Sequence, residues 1–158
     1  MTTFLALGSN LGNRQKNIRR AVEFISERIG KILALSSLYE TQPWGYESTK
    51  DYINVAAKVS TVLPPEGLLY VTQRIENDIG RTTKTVNHEY HDRAIDIDIL
   101  LYGDLALDTP TLVIPHPLMC LRAFVLQPLA EIAPDVVHPL AGKTIAELSR
   151  LLTEATPV

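Results

Sequence analysis

Two carboxylates stand one strand pitch apart in the stretch "DRAIDIDILLYG", Asp92 to Gly103, where Ile95, Asp96, Ile97, Asp98 and Ile99 alternate. Alternation at period two is the signature of a strand with one apolar face. Side chains at i and i+2 share a face and lie about 6.6 Å apart along the strand. Asp96 and Asp98 therefore point the same way, although Asp is a poor strand former and costly to bury unpaired. Like charges this close raise each other's pKa unless a cation sits between them. Hard oxygen ligands suit Mg²⁺, which takes one or two carboxylates and completes its shell with water and substrate phosphates. The plainer reading of the same spacing is a solvent-facing strand edge.

The neighbouring residues favour the metal reading. Arg93 precedes Asp96 by three residues, Arg81 follows Gly80, and Lys84 lies in the same polar run. Guanidinium forks match phosphate oxygens. Arginines beside a carboxylate pair describe a nucleotide-phosphate and metal site. No G-x-x-x-x-G-K-[ST] occurs, so this is not a P-loop. The Gly8-Ser9-Asn10 segment and Leu11-Gly12 read mainly as a tight strand-to-helix turn.

A second i, i+2 pair, Tyr52 and Asn54 in "DYIN", puts an aromatic and an amide on one strand face. Such a pair can stack on and hydrogen-bond a flat heterocycle, and equally it can be ordinary sheet surface. Taken singly, Glu76 reads as a solvated helix residue and Phe124 as core. His88 and His91 lack a third ligand, so they do not make a zinc site. Cys120 sits among apolar residues with no activating partner, as an inert buried thiol does. No nucleophile has an adjacent base. Arg14, Lys16, Arg19 and Arg20 read as a solvated helix face.

The elements that must position these residues follow from periodicity. "TFLALG" predicts a strand, "RQKNIRRAVEFISERIG" a helix with Ile18, Ala21, Val22, Ile25 and Ile29 inward, and "KILALSSLYET" a second strand. "QPWGYESTK" is a turn-rich loop and "DYINVAAKVSTV" a third strand. "PPEGLLYVTQRIENDIG" is a second helix with Leu68, Leu69, Thr72, Ile75 and Ile79 inward. "RTTKTVNHEYHD" is a long polar loop before the aspartate strand. "LAL" and "TLVI" predict a short hairpin. A short helix follows in "PHPLMCLRAFVLQPLAEIAP", and "KTIAELSRLL" is a last helix with Thr144 and Glu147 at capping-box spacing. The final "TEATPV" is expected to fray. The order predicts an α+β fold: a ferredoxin-like βαββαβ core, an antiparallel sheet with helices packed on it, and extra C-terminal helices completing three α-β-α layers.

The chain of 158 residues has one domain's length, 46% hydrophobic and 21% charged residues, as ordinary globular proteins do. A net charge of -3 points away from nucleic acid and anionic membranes, so any anionic partner must be met by local arginines. One cysteine excludes an internal disulfide and fits a reducing compartment. The N-terminus is not a signal peptide, and no run of about 18 apolar residues exists to span a bilayer. The expectation is a cytoplasmic enzyme.

Seven ordered segments, "ALGSNLG", "SSLYETQPWGY", "DYINVA", "TQRIENDIGR", "RAIDIDILLYG", "IPHP" and "LRAFVLQPLAEIAP", together resemble the 6-hydroxymethyl-7,8-dihydropterin pyrophosphokinases of folate biosynthesis, from about Phe4 to about Leu151. The resemblance implies a single pyrophosphokinase domain over residues 1–158. It implies transfer of pyrophosphate from ATP to the hydroxymethyl group of the pterin, releasing AMP, with two Mg²⁺ ions held by Asp96 and Asp98. It implies that Tyr52 and Phe124 sandwich the pterin, Asn54 supplies an amide partner, and Thr41, Pro43, Trp44 and Gly45 line the pocket. Asp96 also contacts the pterin in that family pattern. Gln73, Glu76, Arg81, Lys84, Arg93, Ile99, His116 and Arg122 fall on the nucleotide side, with Arg81 and Arg93 neutralising phosphate charge during transfer. The loops after Gly8, from Gln42 to Lys50 and from Thr82 to Asp92, match segments that close over substrate in the family. A monomer is implied, without nucleic-acid or membrane partners.

The sequence departs from the family pattern at His91-Asp92, where small residues or proline are usual. It carries Tyr90 where some members have Trp. Pro117 and Thr111 replace hydroxyl or basic residues found near the nucleotide in some relatives. Two other functions fit some of the same residues. A Mg²⁺-dependent phosphoesterase would use the aspartates to activate water. A non-catalytic nucleotide-binding module would bind ATP and turn nothing over.

Overall fold

The computed structural model describes residues 1–41, 51–80 and 94–155. Strands β1 (Thr2–Ser9), β2 (Gly30–Leu35), β3 (Tyr39–Thr41), β4 (Tyr52–Thr61) and β5 (Asp96–Tyr102) form one sheet in the order β2-β4-β1-β5, with β3 also pairing with β4. The pairings β1–β4, β1–β5 and β2–β4 are all antiparallel. With helices α1 (Arg14–Arg28) and α2 (Pro65–Gly80) as the crossovers, this is the ferredoxin-like order expected from the sequence.

Helix α1 begins where its chemistry dictates. The Asn13 side chain accepts the Lys16 N–H at 3.1 Å, satisfying one of the donors that a first turn leaves open. Asn17 Nδ2 donates to Leu11 O at 2.9 Å and ties the β1–α1 turn to the helix. Ile18, Ala21, Ile25 and Ile29 are buried as their spacing requires, while Val22 is half-buried. On α2 the buried set is Leu68, Thr72, Ile75 and Ile79. Arg28 joins the two helices, bonding Asp78 at 2.7 Å and lying over the Phe24 ring at 4.2 Å.

The sheet has a core on each face. Leu5, Leu7, Val55, Ala57, Ile97 and Ile99 pack beneath α1 and α2. Phe4, Ala56, Leu100 and Leu101 pack against α3 (Ala123–Ile132) and α4 (Ile145–Ala155) on the other side. Each fully buried Leu or Ile stabilises the fold by about 1.5–3 kcal/mol, so both helix layers are held by several such contacts. The short hairpin β6 (Leu107–Asp108) and β7 (Val113–Ile114) forms as expected. A 3-10 turn at Met119–Leu121 leads into α3. The capping box at α4 also forms, with Glu147 N donating to Thr144 Oγ1 at 3.1 Å and Thr144 N to Glu147 Oε1 at 3.3 Å.

Three expectations change. "KILALSSLYET" is two strands, because Ser36 Oγ accepts the Ala56 N–H at 2.9 Å and the chain turns out of the ladder until Tyr39. Gly8 and Ser9 belong to β1 and not to the turn, which starts at Asn10. The last helix runs through Ala155, beyond the frayed start expected at Thr153.

Candidate active site

The register of the sheet assembles the site. Gly8 on β1 is the partner of both Asn54 on β4 and Asp96 on β5. Asn54 is in turn the partner of Tyr39 on β3. One row therefore crosses four strands as Asp96, Gly8, Asn54 and Tyr39, with its side chains on one face. In the next row Asp98 pairs with Ala6, and Ala6 with Ala56. The residues between the aspartates and β4 are thus Gly8 and Ala6, both small, with Ala56 beyond them on β4. Asp96 and Asp98 lie half-buried on the face covered by α3.

Gly8 is needed there. A Cβ at this position would lie 3.3 Å from Asn54 Oδ1 and 3.3 Å from Tyr52 Cδ1. Tyr52 and Asn54 therefore both reach over the glycine, which sits next to Asp96 in the same row. The orientation of Asn54 is fixed from β3. Its Nδ2 donates to Thr41 Oγ1 at 2.7 Å and to the Tyr39 carbonyl at 3.3 Å. A carbonyl can only accept, so the amide nitrogen faces β3 and Oδ1 faces Gly8.

Glu76 departs from the solvated reading. Its Oε2 accepts the main-chain N–H of Ile97, between the two aspartates, at 2.8 Å. Burial, and after it the charge and hydrogen bond of Asp96, push its carboxyl up to about 8, while the Ile97 bond partly offsets the rise. Gln73 lies exposed one turn earlier on α2. His116 is tied to β5 by its main-chain N–H, which donates to Leu100 O at 3.0 Å. Burial pushes its pKa down and the Arg122 charge adds to that, while Asp96 opposes it. Arg122, at the start of α3, lies over the Phe124 ring at 5.6 Å.

The structure thus brings Thr41, Tyr52 and Asn54 together on β3–β4, and Glu76, Asp96, Asp98, His116 and Arg122 around β5. Phe124 is partly buried against the second core. The Ile99 side chain is 4% exposed in the first core, so a ligand could meet only its main chain. Pro43, Trp44, Gly45, Arg81, Lys84 and Arg93 lie outside the described residues, as do His88 and Tyr90 to Asp92. Arg14 corrects the solvated-face reading, since it bonds Glu40 at 3.2 Å and Asp51 O at 2.9 Å.

Two residues of the site were missed. Gly8 looked like a turn residue, although its pairing with Asp96 and Asn54 makes it the floor between them. Glu131 on α3 accepts Tyr39 Oη at 2.6 Å and Ser37 N at 2.9 Å. Its partners lie 92 and 94 positions away, and no local spacing signals them. A shallow apolar hollow of about 320 Å³ between α1 and Leu35–Leu38, lined by Ile18, Val22 and Val55, contains none of the expected site residues.

Among the described residues no three His, Cys, Asp or Glu side chains are grouped to hold a metal. The Asp96–Asp98 pair still fits Mg²⁺, an ion content with two carboxylates and phosphate oxygens. The Glu76 carboxyl is raised chiefly by burial, and the Asp96 and Asp98 charges that add to the rise are ones a cation would offset. Among the described residues no helix is long and apolar enough to cross a membrane.

A ferredoxin-like sheet with a carboxylate pair on β5, set across β1 from an amide and an aromatic side chain on β4, defines an α+β domain. The family model for 7,8-dihydro-6-hydroxymethylpterin-pyrophosphokinase (HPPK) matches residues 4–134, and the chain belongs to that family. It is 45% identical over 139 residues to the 2-amino-4-hydroxy-6-hydroxymethyldihydropteridine pyrophosphokinase of Porphyromonas gingivalis, covering 87% of this chain and 94% of that one. It is 38% identical over 146 residues to the enzyme of that name from Aquifex aeolicus, covering 92% and 89%. A crystal structure of a Plasmodium falciparum HPPK-DHPS triple mutant shares the fold at a TM-score of 0.78 and 18% identity, over 97% of this chain and 43% of that chain.

Proposed function

We infer that the protein transfers the β,γ-pyrophosphoryl group of ATP to the hydroxymethyl group of 6-hydroxymethyl-7,8-dihydropterin, giving AMP and the pterin diphosphate, in folate biosynthesis. The observation that carries this reading is the row Asp96, Gly8, Asn54, found in a chain of the HPPK family. It sets a phosphate-side carboxylate and a heterocycle-side amide across a floor without a side chain.

In this reading Tyr52 and Phe124 stack on the pterin, and Asn54 and Thr41 bond its rim. Pro43, Trp44 and Gly45 complete the pocket, and Asp96 touches the pterin as well. Gln73, Glu76, Lys84, His116, Arg122 and the main chain of Ile99 face ATP. Arg81 and Arg93 offset the charge that gathers on the transferred group, a role in which one arginine can contribute orders of magnitude in rate. Asp96 and Asp98 would hold two Mg²⁺ ions, which supply about four positive charges against the triphosphate.

The pterin hydroxyl oxygen forms the new bond to the β-phosphorus. The bond from that phosphorus to the oxygen bridging the α-phosphorus breaks, that oxygen leaves with AMP, and the hydroxyl proton passes to solvent. Catalysis is positioning and charge neutralisation, as phosphoryl transfer allows. The same reading makes the protein a cytoplasmic monomer with one domain. A phosphoesterase would leave Tyr52, Asn54 and Phe124 unexplained.

The test is to mix the protein with Mg²⁺, ATP and the pterin and assay AMP, with pterin-free and EDTA controls. AMP formed only with both pterin and metal supports the reading. Phosphate released without pterin would sink it.

A further inference from the structure

The Glu131 carboxylate gathers more hydrogen bonds than a surface glutamate needs. It accepts Ser37 N at 2.9 Å and 3.1 Å, Ser37 Oγ at 3.2 Å and Tyr39 Oη at 2.6 Å. These bonds hold its carboxyl below the usual carboxylate range and raise the Tyr39 phenol. All of them reach from α3 to one short stretch of chain, the link from β2 into β3.

That stretch orients the pocket. Strand β3 is only Tyr39–Thr41 and, among the described residues, pairs with β4 alone. A three-residue strand paired on one side is marginal without further support. Yet its Tyr39 carbonyl and Thr41 hydroxyl are the two acceptors that turn the Asn54 amide. Tyr39 therefore takes part twice: its phenol is held by Glu131, and its carbonyl holds Asn54. Residues Ser37, Tyr39 and Glu131 are all exposed or half-exposed, so this is not a core contact whose purpose is burial.

We propose that Glu131 is a positioning residue for the pterin pocket, fixing β3 against α3 so that the Asn54 amide keeps its oxygen over Gly8. It acts through Tyr39 and Thr41 and touches no reacting atom. The proposal rests on the pyrophosphokinase reading of the site and adds a determinant of pterin affinity that lies outside the pocket.

The test compares wild type with Glu131→Ala, Glu131→Gln and Tyr39→Phe. The measurements are KM for the pterin, kcat, the Kd of a non-hydrolysable ATP analogue, and Tm. Glu131→Ala should raise the pterin KM about tenfold, as expected for losing hydrogen bonds to a charged acceptor. Its kcat and nucleotide affinity should stay near wild type, with at most a modest fall in Tm from the lost bonds. Tyr39→Phe should give part of the same loss, and Glu131→Gln, which keeps an acceptor oxygen, should recover part of it. In an Asn54→Ala background, Glu131→Ala should add no further loss, because the path it acts through is gone.

An unchanged pterin KM in Glu131→Ala overturns the inference while leaving an active wild type's function intact. So does an equal loss of nucleotide affinity, or independent effects in the Asn54→Ala background. A wild type that neither binds nor consumes the pterin overturns the functional reading and this inference together.

Discussion

The Glu76 side chain on α2 accepts the N–H of Ile97 on β5 at 2.8 Å, at the one residue between Asp96 and Asp98. The helix thereby holds the aspartate strand at the point where both carboxylates leave it.

This contact makes stability depend on pH. The Glu76 carboxyl is raised in the fold to about 8 from its ordinary 4.5, chiefly by burial. A raised carboxyl pKa favours the folded state when protonated. The stabilisation is fully present below the unfolded value and is lost as pH rises towards 8. The metal-free protein should therefore show a falling Tm between about pH 5 and 8. Glu76→Gln keeps an acceptor for Ile97 and should flatten that slope. Glu76→Ala leaves the Ile97 N–H unsatisfied and should cost about 1–3 kcal/mol in urea unfolding. A Glu76→Gln profile as steep as wild type would remove Glu76 as the source.

Replacing Asp98 by Ala should lower AMP formation on the order of a hundredfold or more, the scale of losing an electrostatic catalytic group. The far-UV spectrum and Tm should not fall, since the substitution removes a charge from a crowded site. Near-normal turnover would show that the metal assignment is wrong.

Gly8→Ala tests the floor. Its Cβ would crowd Asn54 Oδ1 and Tyr52 Cδ1 at 3.3 Å each, so those side chains must give by a few tenths of an ångström. The strand itself tolerates alanine, and stability should change by less than about 1 kcal/mol. The pterin KM should rise roughly tenfold, because displacements well below 1 Å already matter in positioned reactions. A pterin KM equal to wild type would mean the space over Gly8 is not the pterin site.

Gly30→Ala offers a contrast on the same sheet. Its Cβ would stand 1.9 Å from the Ser60 carbonyl oxygen, and backbone cannot swing aside as a side chain can. A loss of about 3 kcal/mol is expected, read as a lower urea midpoint. A wild-type midpoint would refute the close approach.

Much of this was legible in the residues themselves. The Ile95–Ile99 alternation located β5 and the face shared by Asp96 and Asp98, because strand geometry leaves no other option. Helix spacing and caps located α1, α2 and α4. What escaped were contacts whose partners are remote in sequence. Glu76 resembles any polar helix residue until α2 is laid beside β5. Glu131 has no meaning until α3 is set against β3. The break at Ser36 was hidden because its hydroxyl takes a ladder hydrogen bond of β4, a competition that propensity does not register.

The position of β5 at one margin of the sheet has a further consequence. Among the described residues no strand pairs with its outer side, and a bare margin invites another polypeptide to add itself and polymerise. Here the Ile97 N–H is taken by Glu76 and the Leu100 carbonyl by His116 N. At the opposite margin, β2 is irregular between Ile32 and Ala34, which disturbs the flat template a growing aggregate requires. The groups that hold the aspartates in place thus also guard the protein against its own sheet becoming a seed.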